Sequence, residues 1–514
     1  MINAVILLND DLDNVNDCNS YKTCKSSHMA KSQSNMFFLL SVSIPRPLFP
    51  IAGYPLIYHH LRSLSKIEQV QNVFLVGKYD PKKFTYFIDE ILSQFSFKSV
   101  QYIHDDVPKN EIGVLFKYRD NFLLDNPEHL FLMRYKICSS FPLADIIQFH
   151  REKERRMDQY QYSMRDSKKF TEDPQNKNLA LITAVSVDQE HNTGKNFSCF
   201  AMNKDTNEML HYCENSSNKY SNLINCGIYF ISVRFYTEFG VACSLVEDQD
   251  HTMSQGQLDN DENSNYAGCS TPKDHQNSTI SGSDFIKNYA QITNPQNLQA
   301  ADQKSQQFQD SFTYLNSMES SLTVKELFMA LCGKKKAYIY EIDKSKDFIQ
   351  EIIRHEDKLS CQNMYFLHYS KACPQMLQGP NEYVKIQTIG ICFIHPTAEI
   401  HPGALIGPNV SVGAYAKIHE GCRVINSIIL EDAEIQSNSV VINSMVGWNA
   451  KIGPWCRIEG TLFSDEKSKQ LQGQKFDVSV LGVGVVVDPE VMLRNCLVMP
   501  FINIKQNNTD RILF

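Results

Sequence analysis

The side chains best suited to metal chemistry in this 514-residue chain are scattered rather than clustered. Cys18, Cys24 and His28 form one loose group in a polar stretch, but their spacing matches no recognised structural zinc site. Many of the fifteen cysteines lie in apolar, strand-like runs, where a free thiol behaves as a small hydrophobic group. We therefore expect no metal site and a reduced, cytoplasmic protein.

Histidines that could act as general bases occur in two settings. His59 and His60 lie among aliphatic residues of a predicted helix, which favours packing over catalysis. His395, His401 and His419 each follow an aliphatic residue of a repeat, at a position that glycine or a polar residue often takes. We interpret all five as structural.

That repeat has a period of six residues, which fits neither an α-helix nor a simple strand. Its aliphatic positions are Ile394, Ile400, Ile406, Val412, Ile418, Val424 and Leu430. Mostly small residues follow four positions later, and the pattern resumes at Val446 after a slip near Gln436. Such hexads predict a left-handed parallel β-helix, in which the aliphatic side chain fills the interior and the small residue fits the corner.

The N-terminal part alternates strand-like and helix-like segments in the order βαβαβαβ. The helices include one over 112–122 and one over 143–155, and the second half is richer in strands. This order predicts an α/β domain with a Rossmann-like, mostly parallel mixed sheet.

Composition then divides the chain. Residues 1–355 form the predicted α/β domain, with polar insertions at about 9–35, 157–178 and 247–310. The last of these is rich in Gln, Asn, Asp and Ser and is expected to be disordered. Residues 356–384 are predicted to be a linker, and 385–514 the β-helix.

The charge pattern excludes several classes of protein. Fifty Lys and Arg against 58 Asp and Glu give a net charge of −8, and the two signs are mixed along the chain. We expect no nucleic-acid binding and no attachment to anionic membranes. No apolar stretch approaches the ~20 residues of a membrane span, and the N-terminus lacks a signal peptide's basic region.

Several stretches together resemble one family of sugar-nucleotide enzymes. They are residues 45–60, 138–143, 209–214, 223–229, 394–413 and 446–461. These stretches are similar to the alpha, or regulatory-type, subunits of mannose-1-phosphate guanylyltransferase, also called GDP-mannose pyrophosphorylase. The resemblance implies a nucleotidyltransferase-like domain followed by a hexapeptide-repeat β-helix.

The resemblance also implies a reaction. A sugar 1-phosphate attacks the α-phosphorus of GTP and pyrophosphate leaves, so the protein supplies positioning and charge neutralisation. Members of the family use a glycine-rich loop with an arginine, a Lys-Pro-Leu lysine and an aspartate that holds Mg²⁺. A Glu-Lys-Pro segment and an Asn-x-Gly segment hold the sugar phosphate.

This sequence departs from most of those parts. Residues 9–13 are Asn-Asp-Asp-Leu-Asp where the glycine-rich loop begins, and Phe38 takes the place of the arginine. The remaining positions that the resemblance assigns to substrate binding, all read as vestigial, are Arg46, Gly113, Lys136, Glu214, Asn225 and Gly227. Lys136 replaces the metal-binding aspartate, so we expect the Mg²⁺ site to be lost and no catalytic residue to remain.

The favoured hypothesis is therefore a catalytically inactive regulatory or scaffold subunit of GDP-mannose biosynthesis. Its expected partner is a catalytic beta-type subunit, or a second copy of itself, bound through the β-helix. GDP-mannose or another sugar nucleotide is a candidate ligand. Two alternatives stay open: an active mannose-1-phosphate guanylyltransferase, and a subunit of a translation-initiation guanine-exchange factor.

Overall fold

The computed structural model describes residues 1–8, 40, 44–105, 111–166, 182–188, 197–216, 221–236, 324–333, 336–377, 386–461 and 477–514. The predicted insertion at 247–310 lies outside these residues, as do 9–35, Phe38 and the group Cys18, Cys24 and His28.

The N-terminal domain is built on a nine-stranded mixed sheet with the order β10-β9-β11-β6-β1-β4-β5, in which β8 pairs with β11 and β12. Its strands are β1 (Ile2–Leu7), β4 (Val70–Gly77), β5 (Ser99–His104), β6 (His129–Arg134), β8 (Ile182–Asp188), β9 (Phe197–Met202), β10 (Met209–Ser216), β11 (Leu223–Ser232) and β12 (Ala337–Glu341). The central pairs β1–β4, β1–β6 and β4–β5 are parallel, whereas β11 runs antiparallel to β6. The predicted α/β domain is confirmed.

Helices and two small hairpins complete this domain. The helices are α1 (Leu56–Ser65), α2 (Lys82–Gln94), α3 (Glu111–Lys117), α4 (Arg119–Phe122), α5 (Leu143–Asp166), α6 (Val324–Leu331) and α7 (His355–Ala372). The hairpin strands are β2 (Pro50–Ile51) with β3 (Tyr54–Pro55), and β7 (Ile137–Ser139) with β13 (Ile349–Glu351). The single helix expected over 112–122 is two short helices, and α5 continues to Asp166, into the segment expected to be an insertion.

The C-terminal domain is a parallel β-helix of three sheets. The first contains β14 (Gln387–Thr388), β17 (Leu405–Ile406), β20 (Arg423–Ile425), β23 (Val440–Ile442), β26 (Arg457–Glu459), β29 (Met492–Arg494) and β32 (Asn508–Thr509). The second contains β15 (Cys392–Ile394), β18 (Val410–Val412), β21 (Ile428–Ile429), β24 (Ser444–Val446), β27 (Ser479–Leu481), β30 (Leu497–Val498) and β33 (Ile512–Leu513). The third contains β16 (Glu399–Ile400), β19 (Lys417–Ile418), β22 (Glu434–Ile435), β25 (Lys451–Ile452), β28 (Val486–Val487) and β31 (Asn503–Ile504).

The six-residue register is confirmed for the first coils and shifts once. Ile400, Ile406, Val412 and Ile418 all lie in the interior cluster of the β-helix. Leu430, predicted to continue the series, lies instead in the core shared with the N-terminal domain, and Ile429 takes the interior place. Ile429 pairs with Val412 because the corner before it is one residue shorter than the hexad pattern assumes.

The segment predicted to be a linker, 356–384, contains most of α7 and a 3₁₀ turn at Pro374–Leu377. The sequence of this segment has no apolar face of helical period, and for that reason a linker was predicted. The structure buries it on several sides, so that Asp357, Lys358 and Gln362 are interior along with Tyr365 and Phe366. We correct the prediction: this helix is part of the fold and fastens the two domains together.

None of the helices in the described parts of the chain is long and apolar enough to cross a membrane.

Candidate functional site

The candidate site lies at the carboxyl edge of the central sheet, where ligands bind in open α/β folds. Leu7, at the end of β1, pairs with Arg134, at the end of β6. Because β11 is antiparallel to β6 and Ile228 pairs with Met133, the preceding residues Asn225 to Gly227 reach the same edge.

Asn225 is held by its own strand and its neighbours. Its side-chain oxygen accepts a hydrogen bond from the Gly227 N–H at 3.0 Å. Its amide donates to the hydroxyl groups of Tyr229 at 2.9 Å and Tyr212 at 3.4 Å. The side chain is almost fully buried, so Asn225 shapes the edge of the sheet through these bonds.

Arg134 covers Gly227. A Cβ added to Gly227 would lie 2.6 Å from the Cδ atom of Arg134 and 3.0 Å from its Nε atom. Gly227 also has a φ of +64°, a conformation that favours glycine. The arginine stem therefore rests directly on the backbone that the resemblance assigns to the sugar phosphate.

Tyr212 and Glu214 border the same region from β10. Burial raises the pKa of the Tyr212 hydroxyl, the Glu214 carboxylate adds to that rise, and Arg134 opposes it. Glu214 is exposed, so it is the one carboxylate among the predicted site residues that faces solvent here. Glu214 and Asn225 both act on Tyr212, and Asn225 is bonded to Gly227, so the three residues border one region.

Lys136 lies two residues beyond Arg134, in the turn that joins β6 to β7. The turn is fixed by backbone hydrogen bonds, from the Tyr135 N–H to the Leu7 carbonyl at 3.1 Å and from the Ile352 N–H to the Lys136 carbonyl at 2.9 Å. The Mg²⁺ of the family would need an oxygen ligand at this position, and an ammonium group has no lone pair to offer. Lys136 does not fit a magnesium site.

The other two predicted residues belong to different surroundings. Gly113 is buried in α3, and its neighbours Val114 and Leu115 belong to the same core cluster as Leu7 and Tyr212, beneath the edge rather than on it. Arg46 begins a 3₁₀ turn, Arg46–Leu48, and its charge acts on the buried ammonium of Lys358 in α7. The stretch that contains Arg46 therefore builds the contact between the two domains.

That contact, which we call the domain junction, joins residues 44–55 and α7 to the second sheet of the β-helix. Gly53 has a φ of +87°, and an added Cβ would lie 2.2 Å from the ring of Phe393. Phe49 meets Trp448 edge-on with ring centroids 5.8 Å apart. A cavity of about 230 Å³ lies between these surfaces and is lined by residues that include Pro50, Phe393 and Trp448.

Gln362 of α7 joins the two domains by hydrogen bonds. Its amide donates to the carbonyl oxygens of Asn409 at 3.0 Å and Ser427 at 3.4 Å, and its oxygen accepts from the Ser411 hydroxyl at 2.7 Å. Since Gln362 is fully buried and all these groups are paired, the contact is specific as well as apolar.

Lys358, one helical turn away, is also fully buried. Its ammonium lies 3.2 Å from Nδ1 of His355 and 4.7 Å from the centre of the Phe49 ring. Burial, reinforced by the charge of Arg46, lowers the pKa of Lys358 to about 7. The domain junction therefore contains a lysine that can lose its proton near neutral pH.

Sequence reasoning missed two features of these regions. Arg134 is visible in the sequence as the first residue of Arg-Tyr-Lys, but only the fold shows that its side chain covers Gly227. The burial of α7 between the two domains was also missed, because its sequence shows no apolar periodicity. His59 and His60, by contrast, are core residues as expected, and burial lowers their pKa values to about 3 and about 4.

Comparison with known proteins gives consistent results. The family model described as "GMPPB C-terminal domain" matches residues 388–513. A Schizosaccharomyces pombe protein named "Probable mannose-1-phosphate guanyltransferase" is 30% identical over 485 residues, covering 92% of this chain and 95% of that protein. A Dictyostelium discoideum protein named "Mannose-1-phosphate guanylyltransferase regulatory subunit alpha" is 28% identical over 488 residues, covering 94% and 96%. The Danio rerio regulatory subunit alpha-B is 26% identical, covering 92% and 95%.

The chain consists of a nucleotidyltransferase-like α/β domain followed by a parallel β-helix. Within that class, the full-length similarity to the fission-yeast protein shows that the chain belongs to the mannose-1-phosphate guanylyltransferase family.

Proposed function

We propose that this chain is a catalytically silent, regulatory alpha-type subunit of mannose-1-phosphate guanylyltransferase. The observation that carries the proposal is the pair of cations at the end of β6. Arg134 rests on Gly227, and the resemblance assigns to Lys136 the position of the family's Mg²⁺-binding carboxylate. Since loss of one electrostatic stabiliser commonly costs ~10²–10³-fold in rate, we expect a reversed charge at the metal position to lower turnover by at least that factor.

The names of the Dictyostelium and zebrafish relatives support a regulatory role, and they imply a catalytic partner. The fission-yeast relative bears an enzyme's name, which supports the alternative that the chain catalyses GDP-mannose synthesis itself. The charge at Lys136 weighs against that alternative. All three relatives are named for the guanylyltransferase rather than for a translation factor.

The proposed contact with a catalytic beta-type subunit is an outer corner of the β-helix. Tyr415 and Phe501 lie at the same corner of different coils, between the second and third sheets, and are 56% and 72% exposed. Large exposed aromatic side chains on one surface are typical of interaction sites.

Co-expression with the catalytic subunit of the same organism tests this contact. Affinity capture of the wild-type chain should retain the partner, and the double variant Tyr415→Ser, Phe501→Ser should lose it. Leu367→Ser is the matched control, because Leu367 is a comparably exposed apolar residue on α7. Equal retention by the corner variant and the control would place the contact elsewhere.

The proposal also includes a ligand, a sugar nucleotide such as GDP-mannose bound without a metal ion. Arg134 and Lys136 provide the positive charge that a pyrophosphate group requires, and Glu214 lies exposed on the side of the sugar. Calorimetry with GDP-mannose should give the same affinity with and without EDTA. If millimolar GDP-mannose gives no heat of binding, the proposed ligand is wrong and only the scaffold role remains.

A further inference from the structure

A second polar cluster lies at the other end of β6, away from the candidate site. His129 begins β6, and His150 and Glu154 lie one turn apart on α5, so both point from the same face of that helix. Five residues of strand at about 3.3 Å each separate His129 from Arg134, a distance of about 16 Å. The cluster therefore lies apart from the candidate site at the carboxyl edge of the sheet.

The three side chains converge on one point. Nε2 of His129 lies 3.2 Å from Oε1 of Glu154, and Nε2 of His150 lies 3.6 Å from the same oxygen. All three ligand atoms lie within 4.8 Å of one another. In a tetrahedral zinc site with bonds of about 2.0–2.1 Å, neighbouring ligand atoms are about 3.3 Å apart. The two distances to Glu154, 3.2 and 3.6 Å, are close to an edge of that tetrahedron.

The surroundings hold the two imidazole rings in place. The His129 ring stacks on Phe230 with centroids 5.0 Å apart, and the His150 ring meets Phe230 edge-on at 4.8 Å. Nδ1 of His150 is bonded to the Thr183 hydroxyl at 2.9 Å, which is the outer hydrogen bond that metal-ligating histidines usually make.

His150 supplies an independent indication of a ligand. The residue is fully buried, and its Nε2 atom has no hydrogen-bond partner among the described residues. A buried polar atom without a partner is costly, and it faces the carboxylate of Glu154 at a distance too long for a good hydrogen bond. A cation between them would satisfy both groups.

We propose that His129, His150 and Glu154 bind a zinc ion that fastens α5 to the central sheet. Two imidazole nitrogens and one carboxylate oxygen form a donor set that suits Zn²⁺. The fourth position would be taken by water, because the Glu154 side chain is 28% exposed and opens the cluster to solvent. This site is independent of the Mg²⁺ site that the family implies.

The test measures the zinc content of the full-length chain after equilibration with Zn²⁺ and removal of the free ion. Glu154→Gln removes the charged ligand with little change in shape, and His129→Phe removes the nitrogen while keeping a ring against Phe230. Glu152→Gln is the matched control, because Glu152 is an exposed glutamate on the same helix. Both ligand variants should hold one zinc ion fewer per chain than the wild type and the control.

Thermal unfolding provides a second readout. Saturating Zn²⁺ should raise the Tm of the wild type and of Glu152→Gln by about 3 °C or more, with a smaller rise in the two ligand variants. Equal zinc content and equal Tm shifts in all four proteins would overturn the proposal. The cluster would then be a hydrogen-bonded group in which both histidines donate to Glu154.

Discussion

The carboxyl edge of the sheet and the domain junction come from parts of the chain that resemble the same family, yet the fold constrains them differently. At the edge, the half-buried side chains of Arg134 and Lys136 lie at the end of β6 and in the turn after it, which backbone hydrogen bonds hold. At the junction, Gly53 touches Phe393 so closely that no side chain fits between them, and Gln362 is fully paired.

This difference separates the requirements of chemistry from those of assembly. Side chains at the edge can change charge while the backbone hydrogen bonds that hold the turn stay in place. At the junction even one methyl group must displace an aromatic ring. A chain of this kind can lose turnover and still present its two domains in a fixed arrangement.

The largest expected effect comes from the β-helix that supports the junction. Ile406→Asp places a carboxylate in an interior position that is 0% exposed, where a charge without a partner costs several kcal/mol. Soluble protein should be lost. Val486→Asp is the control, since Val486 lies on the outer face of a strand of the same β-helix and is 39% exposed. A soluble, cooperatively unfolding Ile406→Asp protein would contradict the register.

Gly53→Ala should have the next largest effect. The added Cβ would lie 2.2 Å from the Phe393 ring, and the alanine would have to adopt an unfavourable positive φ. We therefore expect the unfolding free energy to fall by about 2–4 kcal/mol. Gly333→Ala separates the two causes, because Gly333 has a φ of +70° and nothing within 4 Å of the added atom. Denaturant unfolding should show a clearly smaller loss for Gly333→Ala, and equal losses would mean that the junction is loosely packed.

The buried lysine of the junction gives a pH-dependent effect. The pKa of Lys358 is lowered from 10.5 to about 7 by burial, so between these values the unfolded chain binds more protons than the folded one. The cost of Lys358 is therefore complete below pH 7 and disappears as the pH rises towards 10.5. Lys358→Met should raise the Tm by several degrees at pH 7, and the gain should shrink by pH 10.

Lys371→Met is the control for this experiment, because Lys371 lies exposed on the same helix. Its Tm difference from the wild type should stay near zero across the same pH range. A pH-independent gain in Lys358→Met would show that its ammonium is not desolvated in the folded protein.

The smallest effect on stability is expected at the edge. Arg134→Ala should change the unfolding free energy by less than about 1 kcal/mol, since the residue is half-buried and the sheet pairing of β6 does not involve its side chain. Calorimetry should nevertheless show at least a tenfold loss of GDP-mannose affinity, as expected when a charged contact to phosphate is removed. If Arg134→Ala and Gly53→Ala lower the unfolding free energy by similar amounts, the claim that the edge tolerates substitution better than the domain junction is wrong.

The sequence predicted what depends on periodicity and failed where packing is irregular. The hexads placed Ile400 to Ile418 in the interior because a parallel coil repeats its contacts. They misplaced Leu430, because the corner before Ile429 is one residue shorter than the hexads assume and turns Leu430 towards the core shared with the N-terminal domain. The helix α7 was missed for the same reason: two domains bury it, so its polar residues are interior and its pattern has no single apolar face.

The candidate site was predictable to a similar extent. Residue types at Glu214, Asn225 and Gly227 could be read from matched stretches and Lys136 by counting back from one, and the structure joins Asn225 to Gly227 by a hydrogen bond. Arg46 was predicted to lie in the site, but the structure places it at the domain junction, where its 3₁₀ turn lies near Lys358 of α7. The covering of Gly227 by Arg134 depends on the antiparallel approach of β11 to β6, which no local pattern encodes.

Turnover by the purified chain tests the central claim most directly. Pyrophosphate release should be followed with saturating GTP, mannose 1-phosphate and Mg²⁺, with the chain alone and with its catalytic partner added. The proposed role predicts no release above the blank for the chain alone and release only when the partner is present. Mg²⁺-dependent release of pyrophosphate and formation of GDP-mannose by the chain alone would contradict it.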